Sequence, residues 1–197
     1  AFGMRYDGER VVYSLASARQ VNSRAHYQED KAHTLQILNN WRKKFPAIAP
    51  PPKLVIICAS GGGQKAALGT MRILQEADRV TEGRLMAHTM LMSCVSGGAL
   101  GASYFRELYW RKQQKLPIDL YDHQYLDKIA RNSLNPVIFS LLTNDILLDL
   151  NRVQYNGMTY RRDRGYALEH QVNKQTGFVL DKPLKDYRLP EFESRIP

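Results

Sequence analysis

The stretch Leu54-Val55-Ile56-Ile57-Cys58-Ala59-Ser60-Gly61-Gly62-Gly63-Gln64-Lys65-Ala66 decides how this chain is read. Its first six residues are apolar and rich in β-branched side chains, the signature of a strand buried on both faces in a parallel sheet. Three glycines follow, and Gln64–Arg79 then has helical composition. A second copy of the same grammar comes next: Leu85–Cys94 reads as a strand, Cys94-Val95-Ser96-Gly97-Gly98 as a turn, and the residues from Gly97 through Tyr109 as a helix. Strand, loop, helix, twice in succession, predicts an α/β fold: a largely parallel sheet flanked by helices.

Outward from this centre the pattern is simpler. Residues 9–45 read as helical, with Leu35, Leu38, Trp41 and Phe45 on one face and a break near Glu29-Asp30. Pro46 and Pro50-Pro51-Pro52 stop that helix and supply an extended connector. Residues 1–53 are therefore expected to be a helical extension with a Pro-rich connector, and 54–197 the first part of the main α/β domain. Beyond Trp110 a polar linker spans Arg111–Pro117. Tyr125–Leu134 and Val137–Leu150 are candidate helices separated by Asn135-Pro136, and the polar end carries turn signals at Thr176-Gly177 and Lys182-Pro183. The apolar run from Val137 is expected to be a buried helix pair, or else a wall over a hydrocarbon chain.

The net charge of +9 is unevenly spread. Residues 1–53 hold nine Lys/Arg against four Asp/Glu, residues 54–150 ten against nine, and residues 151–197 nine against six. The excess thus lies outside the motif-bearing middle, with Arg161, Arg162 and Arg164 its densest cluster. It reads as solvated surface first and as attraction to a membrane surface second. No nucleic-acid partner is expected, because no binding motif accompanies the charge. Cys58 and Cys94 are the only cysteines and form neither a disulfide framework nor a zinc spacing. No metal or organic cofactor is implied, and the cysteine count favours a reducing compartment.

The two loops carry the chemistry. Acyl transfer builds negative charge on a former carbonyl oxygen, and backbone N–H groups at a helix N-terminus are placed to hold it. Gly61, Gly62 and Gly63 allow such an approach, and Lys65 adds positive charge. The plainer reading is a glycine turn that serves only tight packing of strand and helix. A phosphate-binding P-loop fits poorly, since Lys65 follows the glycines too soon and no Ser/Thr comes after it. Ser96 lies in x-x-Ser-x-Gly, the nucleophile-elbow pattern with Cys94 at the first glycine position and Gly98 at the second. One helix and one strand separate the loops, so both emerge at the carboxyl edge of the sheet.

These residues resemble the patatin-like phospholipase family of lipid acyl hydrolases, over about residues 54–110. The segment Asp163-Arg164-Gly165-Tyr166-Ala167-Leu168-Glu169 is also similar to larger bacterial members. The resemblance implies Ser96 as nucleophile, Gly62 and Gly63 as oxyanion donors, and a lipid or phospholipid ester as substrate. Lys65 stands where the family usually has Arg, and Cys94 replaces a glycine. The family's base is an aspartate in Asp-Gly-Gly/Ala, downstream of the serine. The only Asp-Gly here is Asp7-Gly8, upstream of it. The resemblance thus places the base beyond this chain, which reads as truncated and, alone, inactive. Two alternatives stay open. One is a catalytically silent module that binds anions or acyl groups. The other is a Ser-His-Asp esterase using His123 or His170; His26, His33 and His88 precede the serine.

Overall fold

The computed structural model describes residues 14–47, 50–147, 152–155 and 157–197. Asp7-Gly8 lies outside the described residues. The chain is mixed α/β, mostly helical, and its described residues divide into two compact units: those of 14–122 with 182–197, and those of 123–181.

The larger unit begins with α1 (Leu15–Val21) and α2 (Arg24–Lys43). Serine caps start both: the Ser14 and Ser23 hydroxyls accept N–H bonds from Ser17 and His26. The helical run expected over 9–45 therefore breaks at Asn22-Ser23, not near Glu29-Asp30, because Ser23 caps a new start. Most of α2 is exposed, and Trp41 anchors it. That indole is 4% exposed, and its N–H donates to the His88 carbonyl at 3.1 Å.

β1 (Val55–Ala59) and β2 (Thr89–Cys94) form a parallel pair in which Cys58 lies opposite Ser93 and Ala59 opposite Cys94. Between them run α3 (Gly63–Val80) and the short α4 (Arg84–His88); α5 (Ser96–Gln113) follows. Leu85–His88 is thus helix, where the apolar run predicts strand. Asp78, fully buried on α3, explains the difference. Its Oδ1 accepts the Met86 N–H at 2.9 Å and so holds a helical turn just after the left-handed Gly83. α3 and α5 pack along each other through small residues: a methyl group at Gly101 would collide with the Ala67 carbonyl.

The expectation that the first strand is buried on both faces is not met. Burial alternates along β1 and β2, and Ile56 (53%) and Leu91 (47%) are exposed. Among the described residues the helices shield one face of the pair only.

A buried carboxylate organises the back of this unit. Glu107, fully buried on α5, accepts bonds from Arg111 Nε (2.8 Å), Lys182 Nζ (2.7 Å) and the Tyr187 hydroxyl (2.8 Å). The Arg106 guanidinium lies over the Tyr187 ring at 4.6 Å and pairs with Glu191 at 2.6 Å. These contacts, with Lys44 donating to the Ser194 carbonyl, tie residues 182–197 and their short helix α9 (Arg188–Phe192) to α5 and α2.

The second unit holds α6 (Gln124–Ile129), α7 (Leu134–Ser140), a π-helical continuation over Leu141–Leu147, and α8 (Arg164–Thr176). A hairpin of β3 (Arg152–Tyr155) and β4 (Met158–Arg161) precedes α8. Asn135-Pro136, expected to separate two helices, instead opens α7, where a proline in the first turn loses no helical hydrogen bond. The helices after it are not buried either: Phe139 is 68% and Leu147 73% exposed, while Ser140 is buried. The sequence signal for this hairpin, missed in the expectations above, is Asn156-Gly157 between two strictly alternating runs, Arg152-Val153-Gln154-Tyr155 and Met158-Thr159-Tyr160-Arg161. α8 starts on the Asp163 side chain, which accepts the Tyr166 N–H, and stops at the left-handed Gly177.

Candidate functional site

The two loops meet. The ladder between β1 and β2 runs on into the second turn, where the Val95 N–H donates to the Ala59 carbonyl at 3.0 Å. A Cβ built on Gly61 would stand 3.2 Å from Ser96 Cβ and 3.8 Å from its Oγ. A methyl at Gly97 would collide with the Gly63 carbonyl, and one at Gly98 with that of Ser60. Each loop is therefore the floor of the other, and only glycine permits the approach.

Ser96 is the first residue of α5 and has φ +51°, a left-handed conformation that costs a non-glycine residue about 1–2 kcal/mol. It is exposed. The turn forms with Cys94 in place: that side chain is half-buried beside β1, and burial pushes its thiol pKa up. A strained serine presented at the end of a strand is the feature from which a functional hypothesis starts.

The electrostatics favour an anion. α3 and α5 both begin here, each with 18 residues, and neither N-terminus has a side-chain cap or an acidic residue in its first turn. α2 and α8, by contrast, start on Ser23 and Asp163. The first N–H groups of a helix carry a partial positive charge that a cap or anion offsets. Gly62, with φ +146°, ends the loop in a conformation open to glycine, and Gly63 (φ +60°) starts α3. Lys65, exposed in the first turn of α3, sits at the wrong end of the helix dipole for a cation, so it adds to the positive character of the loop.

The structure thus brings Gly61 against Ser96, Gly63 against Gly97 and Ser60 against Gly98, with Cys94 opposite Ala59 at the end of the ladder and Lys65 in the first turn of α3. No family model, curated protein or solved structure matches the chain.

No aspartate or histidine among the described residues of this unit hydrogen-bonds Ser96. The acidic groups near the helices have other work: Asp78 holds Met86 and the Tyr121 hydroxyl, and Glu107 holds Arg111, Lys182 and Tyr187. His88 turns its Nδ1 to the Lys53 carbonyl at 2.9 Å, and His33 stacks on Phe192. In the other unit His123 precedes α6, and His170 stacks on Tyr166 at 5.7 Å. No group of three or more metal-ligating side chains occurs among the described residues.

Asp78 and Glu107 are what sequence reasoning missed. Both lie on buried helical faces, Glu107 among Tyr104, Phe105 and Leu108. A carboxylate within an apolar stripe was the available signal, since such a group is buried only when paired.

Proposed function

We propose that this chain carries the nucleophile half of a serine-dependent lipid acyl hydrolase of patatin-like type, splitting carboxylic esters of the phospholipase A kind. One observation carries the reading: Ser96 stands at φ +51° at the head of α5, against a glycine loop that heads α3.

In this reaction the Ser96 hydroxyl oxygen attacks the ester carbonyl carbon, and its proton passes to a base. The carbonyl oxygen becomes an oxyanion, held by the backbone N–H groups of Gly62 and Gly63; one such donor is worth about 3 kcal/mol. Collapse of the intermediate expels the alcohol, which takes the proton from the base, and leaves an acyl ester on Ser96. Water then repeats the cycle and frees the carboxylic acid. An aspartate from sequence outside these 197 residues serves as the base. In the same reading β1 and β2 belong to a larger parallel sheet whose further helices cover Ile56 and Leu91.

The test is fluorophosphonate labelling of the natural protein, with the adduct located by mass spectrometry. Label on Ser96, absent from Ser96→Ala, is the expected result; a natural protein that takes no label there sinks the reading. The 197-residue chain is expected to hydrolyse p-nitrophenyl esters no faster than Ser96→Ala. Serine-dependent turnover by that chain would remove the need for an outside base.

A second reading draws on the uncapped N-termini of α3 and α5: a silent module that binds anions or acyl groups there. It predicts saturable fatty-acid binding that survives Ser96→Ala and no labelling in any form.

A further inference from the structure

The smaller unit is built inside out for a water-soluble element. Its buried apolar groups among the described residues are Tyr125, Leu126 and Ile129, all on α6. Leu134, Ile138, Phe139, Leu142, Ile146 and Leu147, on α7 and its π-helical continuation, are all more than half exposed. Four of these recur every fourth residue. That step drifts around an α-helix of 3.6 residues per turn, but the wider π turn keeps it closer to line. The result is an apolar ridge larger than scattered surface residues would make.

Arginines flank its carboxyl end. The Arg161 guanidinium donates to the Asp145 carbonyl at 3.3 Å, Arg164 pairs with the Asp145 carboxylate at 3.0 Å, and Asn144 Nδ2 donates to the Arg162 carbonyl at 3.0 Å. Residues 161–164 are thereby fastened beside Ile146 and Leu147. Arg152 lies directly opposite Arg161 across β3 and β4, so the hairpin brings a further arginine to this flank, and the side chains of Arg152 and Arg162 are exposed. Asp145 and Asp163 offset part of this charge, and the flank stays net positive. Apolar side chains beside a basic border match the two layers of an anionic membrane, acyl chains below and phosphates above.

We propose that this face docks on an anionic phospholipid bilayer, with the ridge entering the acyl boundary and the exposed Arg152 and Arg162 meeting lipid phosphates. The proposal does not depend on hydrolysis at Ser96.

Co-sedimentation of the 197-residue chain tests it, with phosphatidylcholine vesicles containing about 30 mol % phosphatidylserine and with phosphatidylcholine alone. Binding is expected to the first, weaker by at least about tenfold to the second, and weakened by salt. Arg152→Gln with Arg162→Gln should lower affinity about 25-fold, roughly fivefold for each arginine. Phe139→Asp with Leu147→Asp should lower it at least about tenfold. Ser96→Ala should bind as the parent does, and so should Leu184→Asp, which removes an exposed apolar group of the other unit. Far-UV circular dichroism confirms that each variant is folded. Parent-like binding by both double variants, equal loss from Leu184→Asp, or no binding to anionic vesicles would overturn the proposal. So would a dimer that ignores vesicles and dissociates in the Phe139/Leu147 variant, since the ridge would then join two copies of the chain.

Discussion

Ser96 concentrates the residue-scale argument, because the same backbone angle that exposes its hydroxyl also strains it. Glycine accepts φ +51° freely, so Ser96→Gly should raise stability by up to about 1 kcal/mol while abolishing any labelling. Thermal denaturation of the two proteins reads the sign directly; a loss of stability would mean that the hydroxyl itself holds the turn. Gly97→Ala makes the opposite case. Its methyl would drive into the Gly63 carbonyl, and backbone cannot swing aside as a side chain can. A cost of about 1–3 kcal/mol is expected, measured by urea unfolding. The cysteines should separate by reactivity. Cys58 is exposed, whereas Cys94 is half-buried with its thiol pKa pushed up by burial. Iodoacetamide at neutral pH should therefore modify Cys58 well before Cys94, as peptide mass mapping would show.

At the scale of elements, the packing of α3 on α5 and the anchoring of residues 182–197 matter most. Glu107 is the hub of that anchor, so Glu107→Ala would leave Lys182, Arg111 and Tyr187 without their shared acceptor. A buried ionic cluster that loses one member is destabilised by about 3 kcal/mol. Equilibrium denaturation should show that loss, and Glu107→Gln should recover part of it through its remaining oxygen. The order strand, glycine loop, helix, strand, serine turn, helix was legible in the residues, since β-branched runs and glycines act locally. The helical turn at Arg84–His88 was not, because a carboxylate from α3 holds it. The hairpin at 152–161 was legible as well, in the alternation of Arg152–Tyr155 and Met158–Arg161 around Asn156-Gly157, and went unread because the strands are only four residues long.

For the molecule as a whole, alkaline pH offers a clean readout. Burial, with the Asp78 carboxylate as both charge and acceptor, raises the Tyr121 pKa to about 12. Burial and the bond to Glu107 raise that of Tyr187 as well. A tyrosine whose pKa is higher folded than unfolded stabilises the fold fully below the unfolded value, near 10, and loses that contribution as pH rises to the folded one. The melting temperature should therefore fall between about pH 10 and pH 12, and fall less in Tyr121→Phe with Tyr187→Phe. An identical pH profile in that variant would discount both bonds.

Sequence alone determined the local grammar of the loops and the meeting of Ser96 with the glycines. Loop and strand lengths dictate that meeting, and a serine between small residues dictates the turn. Tertiary structure alone decided which surfaces stay open. The apolar runs at Val55–Ala59 and Val137–Leu147 predict burial by composition, yet one face of β1 and the ridge on α7 meet solvent. Hydrophobicity states what a side chain prefers; whether another element arrives to cover it is settled by the rest of the fold.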